Sequence, residues 1–129
     1  MNQRTNHAWS MPEEGDLHQC TWMAFGASEK IWGTRLIDQV REDLAILAET
    51  VAEFEPVRIC VRPDERELAK EYFESTSNIE FIACPLNDLW IRDYGAVFVT
   101  NRLGEKSAVD FNFNGWGEKQ SFAQDAMVA

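Results

Sequence analysis

The residues best suited to chemistry lie in one segment, 87–95, which reads NDLWIRDYG. It contains two carboxylates, Asp88 and Asp93, and a large aromatic side chain, Trp90. An indole face can lie against a planar cation while a carboxylate accepts two parallel N–H bonds from that cation, which is the geometry that guanidinium groups favour. The spacing Trp90-x-x-Asp93 therefore indicates a binding site for a guanidinium-type cation.

A purely structural interpretation of the same segment stays open. In that interpretation Trp90 fills the core, and Arg92 forms an ion pair with one of the two aspartates. Asp93 then caps the turn before Gly95. Both interpretations put the segment in a loop after a strand, where open α/β sheets tend to carry their sites.

A second unusual stretch, 111–117, alternates phenylalanine and asparagine before a Gly-Trp-Gly sequence, FNFNGWG. Its two glycines would let the backbone turn tightly around Trp116. Asn114 and Trp116, together with Asp88, are therefore candidate pocket-lining residues. The alternative, which the pattern alone favours slightly, is a hairpin exit in which Trp116 covers the edge of the core.

The cysteines predict no catalytic or metal chemistry of their own. Cys20, Cys60 and Cys84 are odd in number and form no CxxC pair, so neither a disulfide framework nor a zinc ribbon is expected. His18 and Cys20 would share one face of an extended strand, about 6–7 Å apart, which resembles a Cys–His nucleophile pair. We favour the interpretation that these cysteines are inert small hydrophobic residues in strands.

The elements that must position these residues form a mixed α/β domain. Apolar residues recur every three or four positions from Leu36 to Phe54, which predicts an amphipathic helix, and Asp64 with Glu67 resembles the capping box of a second helix. A further capping pattern, Ser121 with Gln124, predicts a helix of which only the first turns lie within the sequence. The predicted strands cover 19–25, 57–61, 79–84, 96–100 and 107–113, with a hairpin turn at 102–106.

Composition excludes several classes of protein. The 129 residues are 45% hydrophobic and 26% charged, which predicts a single folded domain rather than a disordered chain. A net charge of −10 disfavours binding to nucleic acid, although most of it reads as solvated helix surface. No apolar run reaches the roughly 18 residues of a membrane helix, and segment 1–7 leads into no signal-peptide core, so we expect a cytoplasmic protein.

Three segments in register resemble the agmatine deiminases and bacterial-type peptidylarginine deiminases of the guanidine-modifying, or pentein, superfamily. They are MPEE with HQCTWM at 11–23, NDLWIRDYG at 87–95, and VDFNFNGWG at 109–117. Their order and rough spacing match the amino-terminal portion of that family. The resemblance runs over nearly the whole chain.

The resemblance implies a hydrolase that converts a guanidinium group to a ureido group and releases ammonia, without metal or organic cofactor. In such enzymes a cysteine thiolate attacks the guanidinium carbon, and a histidine-activated water cleaves the covalent intermediate. Asp93 matches the family's aspartate that binds the guanidinium group, and Trp90 matches the aromatic residue that packs on the substrate. No cysteine of this chain matches the nucleophile, so the catalytic cysteine and histidine are expected beyond its end.

The resemblance also implies a five-bladed α/β propeller of ββαβ units, of which this chain would be about the first third. Residues 1–129 are then one incomplete deiminase domain, inactive alone and prone to self-association or dependent on a complementing chain. Agmatine, converted to N-carbamoylputrescine, is the preferred substrate. Peptidylarginine, converted to citrulline, is the alternative, and a non-catalytic guanidinium-binding module is a third possibility.

Overall fold

The fold is built on a parallel three-stranded sheet. A computed structural model describes residues 8–129, so segment 1–7, on which the targeting expectation depends, lies outside the described residues. The strands β1 (Thr21–Phe25), β2 (Val57–Val61) and β3 (Ile79–Ala83) lie side by side in that order, both pairs parallel. The predicted α/β class is confirmed.

Helices connect the strands on one face of the sheet. Helix α1 (Glu29–Ala52) runs between β1 and β2, and a 3-10 turn at Pro63–Glu65 leads into α2 (Arg66–Glu71) before β3. The helix-side core contains Phe25, Ile59 and Phe81, which the pleat of the strands turns to the same face.

Helix α1 begins earlier than its apolar repeat predicts. Its first turn starts at Glu29, and Gly33, with φ of 72° and ψ of 161°, interrupts the helix before it continues to Ala52. A residue with a Cβ would be strained in that conformation. The small residues Ala45 and Ala48 are buried, Ala48 in the core against the sheet, whereas one flank of the apolar repeat, including Leu47, stays exposed.

The opposite face of the sheet is covered by irregular chain. Ala24 and Cys60 point to that face and pack with Leu86 and Tyr94. The segment that carries the candidate site therefore forms the second layer of the domain, across the sheet from the helices. Its regular elements are α3 (Ile91–Tyr94), β4 (Val97–Thr100), β5 (Lys106–Val109), α4 (Gly115–Glu118) and a 3-10 turn at Asp125–Met127.

The predicted hairpin is present, but its second strand is shorter than expected. β4 and β5 pair antiparallel with Val97 opposite Val109. The prediction of a strand to residue 113 was wrong because the carboxylate of Asp110 accepts the N–H of Asn112 at 2.8 Å, and Asn112 adopts a φ of 55°. This turn takes the chain out of the extended conformation.

Neither predicted capping box forms. The side chain of Glu67 pairs with Lys70 at 2.9 Å instead of reaching back to the start of α2, and a 3-10 turn precedes that helix. At the other site the N–H of Gln124 donates to the side chain of Asn87 at 2.8 Å, so the following turn is fixed by the loop at 87 and not by Ser121.

Candidate functional site

Asp88 lies at the centre of the loop that follows β3, and its carboxylate is fully buried. Oδ1 accepts the indole N–H of Trp32 at 2.8 Å and the backbone N–H of Leu89 at 2.9 Å. Oδ2 accepts the indole N–H of Trp90 at 3.0 Å and an amide N–H of Gln120 at 3.1 Å. Both oxygens are therefore fully used in hydrogen bonds within the chain, so Asp88 lies beneath the candidate pocket and not at its wall.

The end of β1 and the end of β2 hold this loop in place. A Cβ at Gly26 would lie 2.3 Å from the carbonyl oxygen of Asp88, so only glycine allows the loop to approach β1 this closely. The guanidinium of Arg62 donates to the carbonyls of Gly26, Leu86 and Ala27 at 2.9, 3.1 and 2.9 Å. One planar cation thus joins the ends of two strands to the start of the loop.

A second buried carboxylate, Asp125, fastens the loop from the other side. It accepts the backbone N–H of Asn87 at 2.7 Å and that of Asp88 at 3.2 Å, while the side chain of Asn87 accepts the N–H of Asp125 at 3.2 Å. Burial raises the pKa of Asp125, and the two backbone hydrogen bonds partly oppose that shift. The contact is reciprocal and fixes the backbone at 87–88.

Three tryptophan rings form a continuous aromatic cluster above Asp88. Trp32 stacks on Trp90 with centroids 6.2 Å apart and planes at 29°, and Trp116 meets Trp90 edge to face at 6.3 Å. Trp116 has a φ of 57°, which is unusual for a bulky residue and marks a position that the surrounding structure determines. Trp90 and Trp116 remain 41% and 40% exposed, so the cluster keeps open aromatic surface.

Asp93, Asn114 and Trp116 line one pocket of about 320 Å³ beside this cluster. Its other walls are aromatic and amide side chains from the loop after β5, namely Phe111, Asn112 and Phe113. The carboxylate of Asp93 is exposed, and within residues 8–129 no hydrogen bond or ion pair engages it. The pocket thus presents an available carboxylate among aromatic faces, which suits a planar cation.

The alternative interpretation, in which segment 87–95 has only a structural role, is wrong about the contacts of Arg92, Trp90 and Asp93. Arg92 pairs with Glu14 at 2.8 Å, and both side chains are highly exposed, so Arg92 joins neither aspartate in an ion pair. Trp90 is not a core residue, since two fifths of it is exposed. The N–H of Gly95 donates to the backbone carbonyl of Ile91 at 2.7 Å and not to Asp93.

Burial makes Cys60 and Cys84 poor nucleophiles. Burial raises the pKa of Cys60 to about 12, and burial also raises the pKa of Cys84. Cys20 lines a different cavity, of about 680 Å³, together with Arg58 and Glu80. The Nδ1 of His18 lies 3.1 Å from the carboxylate of Glu55, whose hydrogen bond raises the pKa of His18.

Across residues 8–129, no group of three or more histidine, cysteine and acidic side chains could hold a metal ion. Over the same part of the chain, no helix is long and apolar enough to cross a membrane.

Sequence reasoning missed three residues of the site: Trp32, Gln120 and Asp125. Trp32 is 56 positions from Asp88 and Gln120 is 32 positions from it. A signal existed for Trp32, because the apolar pair Ile31-Trp32 stands directly before a glycine among the polar residues that begin α1. Nothing in the local pattern distinguishes Gln120 or Asp125 from surface polar residues.

Comparisons with known proteins agree on one family. Agmatine deiminase of Ectopseudomonas mendocina is 34% identical over 109 residues, covering 83% of this chain and 28% of its own length. Among solved structures, a cysteine-to-serine variant of C. jejuni agmatine deiminase with substrate bound superposes with a TM-score of 0.77 at 28% identity. Agmatine deiminase of Enterococcus faecalis superposes with a TM-score of 0.77 at 26% identity.

These structures cover 92% and 94% of this chain, which in turn covers 34% of each of them. The chain spans about a third of the length of the curated relatives it matches. The family described as Porphyromonas-type peptidyl-arginine deiminase matches residues 10–129. The chain therefore belongs to the Porphyromonas-type peptidyl-arginine deiminase family.

Proposed function

We propose that this chain forms the guanidinium-binding wall of an agmatine deiminase. The observation that carries the proposal is the pocket at Asp93, where an unengaged carboxylate lies beside aromatic side chains, among them Trp116, which packs on Trp90. Asp93 would accept two N–H bonds from the guanidinium, while Trp90 and Trp116 would pack on its apolar chain and cationic face.

In the complete reaction, a cysteine thiolate attacks the guanidinium carbon, a C–S bond forms, and the C–N bond to the departing ammonia breaks. Water activated by a histidine then attacks the same carbon and releases the thiolate, leaving N-carbamoylputrescine. We assign both groups to sequence outside this chain, as part of a propeller of which residues 1–129 form about a third. The raised pKa of Cys60 and the pairing of His18 with Glu55 support that assignment.

Agmatine is favoured as substrate by the relatives named agmatine deiminase. Peptidylarginine stays the second candidate because the matching family is described by that substrate. The two share the guanidinium that Asp93 would hold and differ in the rest of the molecule, a free amine in one and a peptide backbone in the other. A blocked arginine amide therefore serves as the competing ligand in any binding test.

The proposal is tested by calorimetric titration of the 129-residue chain with agmatine. We expect saturable binding, and we expect Asp93→Asn to weaken it about tenfold or more, because a charge-assisted hydrogen-bonded pair is lost. Asp64→Asn is the matched control, since it removes another exposed carboxylate, in the 3-10 turn before α2 and outside the pocket.

Putrescine, which has amines but no guanidinium, should bind far more weakly than agmatine. Equal affinity of the wild type and Asp93→Asn for agmatine would refute the assignment of Asp93. Tighter binding of a blocked arginine amide than of agmatine would favour the peptidylarginine alternative.

A further inference from the structure

The chemistry of Asp88 differs from that of an ordinary buried ion pair. Its four hydrogen-bond donors are two indoles, one carboxamide and one backbone amide, all of them neutral. Within residues 8–129, no lysine, arginine or histidine forms a salt bridge with it. Charge neutralisation therefore does not explain why an aspartate occupies this position.

The number of hydrogen-bond acceptors explains why position 88 is an aspartate. A carboxylate offers two oxygens and about four lone pairs, and all four are used here. Asparagine has the same shape but only one acceptor oxygen, so its NH₂ group would face two N–H donors. The hydrogen-bond pattern requires a side chain that only accepts, and Asp88 supplies it in the smallest form.

The two indoles are bound to opposite oxygens of this one carboxylate. Trp32 N–H reaches Oδ1 at 2.8 Å and Trp90 N–H reaches Oδ2 at 3.0 Å, so both rings are fixed relative to a single rigid group. Their stacking at 6.2 Å and 29° follows from this arrangement. Trp116 then packs edge to face on Trp90 at the wall of the pocket.

The geometry points to Asp88 as a positioning residue: it orients the paired indoles of Trp32 and Trp90, and through them Trp116, so that the pocket at Asp93 binds a guanidinium. This inference rests on the proposed function for its ligand. Asp88 itself does not touch the ligand, since both of its oxygens are used within the chain. Trp32 belongs to the same hydrogen-bonded group as Trp90 and Asp88, although it lies in the first turn of α1.

The test combines the indole N–H signals of ¹⁵N-tryptophan-labelled protein with agmatine titration. In Asp88→Asn, we expect the signals of Trp32 and Trp90 to shift or broaden, and the affinity for agmatine to fall at least fivefold. Val57→Ala is the control for stability alone, because it removes buried methyl groups in the helix-side core, away from the loop. It should leave both signals and the affinity unchanged.

Trp32→Phe provides a second variant if Asp88→Asn does not fold. It keeps an aromatic ring but removes one donor to Asp88, so we expect the Trp90 signal to move and agmatine binding to weaken several-fold. Trp9→Phe is its matched control: Trp9 is 46% exposed, and the indoles that donate to Asp88 are those of Trp32 and Trp90. It should change neither the Trp90 signal nor the affinity.

Unchanged indole signals and unchanged agmatine affinity in Asp88→Asn, with normal binding by the wild type, would overturn this inference alone. Equal shifts in Val57→Ala would also overturn it, because they would reduce Asp88 to a general stabilising residue. Failure of the wild type to bind agmatine would instead overturn the proposed function, and the positioning of the pocket for a guanidinium with it.

Discussion

Two aspartates five positions apart have opposite environments. Asp93 is exposed at the pocket with no partner among the described residues, whereas Asp88 is buried and saturated with hydrogen bonds. The sequence predicts both as site residues, because carboxylates close to Trp90 suit the binding of a cation. It does not separate their roles, since the groups that bury Asp88, such as Trp32, come from distant parts of the chain.

Chemical modification should distinguish Cys60 from a catalytic thiol. Burial raises the pKa of Cys60 to about 12 and leaves the residue only 3% exposed, so very little reactive thiolate is present at pH 8. We expect iodoacetamide to leave Cys60 unmodified in the native protein and to alkylate it readily in urea, as measured by peptide mass spectrometry. Alkylation of Cys60 in the native protein at the rate of a free thiol would contradict its buried position.

At the level of elements, the site depends on the backbone at the ends of parallel strands. The loop at 87–95 packs against the end of β1 at Gly26, and Arg62 at the end of β2 binds three carbonyls around it. These hydrogen bonds to backbone groups add to the apolar packing of Leu86 and Tyr94 in holding the layer opposite the helices.

Gly26→Ala tests that close packing. The new Cβ would overlap the carbonyl of Asp88, so the loop must move; we expect a loss of about 2–3 kcal/mol in the free energy of unfolding and weaker agmatine binding. Urea denaturation and calorimetry measure the two effects.

Gly15→Ala is the matched control, because its Cβ would meet only the side chain of Glu13 at 3.6 Å, an ordinary contact. Its stability should stay within about 0.5 kcal/mol of the wild type. A similar result for Gly26→Ala would mean that the loop adapts without cost.

The sequence predicted the regular elements better than the turns that place the site. Apolar composition and, at 57–61, a period-two alternation located the three parallel strands, and a helical repeat located α1 from Leu36 onward, because burial on a sheet or helix face leaves a local pattern. The positive φ of Asn112 and the break at Gly33 leave no such repeat. The Asn87–Asp125 contact depends on residues 38 positions apart, and no local pattern reports it.

At the scale of the whole molecule, the proposed function requires the guanidinium-binding wall and the reactive groups to come from different parts of the sequence. The described residues bring no thiol or imidazole to the pocket at Asp93, whose walls are aromatic and amide side chains. Family membership was predictable from three short motifs in register. Assembly with further chain and the self-association expected of a partial propeller stay predictions. Leu47 in α1 and Phe54 just after it are apolar side chains that the structure leaves exposed.

The 129-residue chain should release no ammonia from agmatine. Binding without a nucleophile gives no turnover, so a coupled glutamate dehydrogenase assay should read at background even at high protein concentration. Ammonia release that Asp93→Asn abolishes would contradict this expectation and would require a nucleophile within the chain.

The reciprocal contact between Asn87 and Asp125 also sets an order of events during synthesis. The sheet can form once β3 has left the ribosome, but the amides of Asn87 and Asp88 gain their acceptor only when Asp125 has been translated, 38 residues after Asn87. The sheet should therefore fold first, and the pocket should be completed later. A nascent chain stalled before residue 125 should resist proteolysis in its sheet while remaining open to cleavage near residue 88.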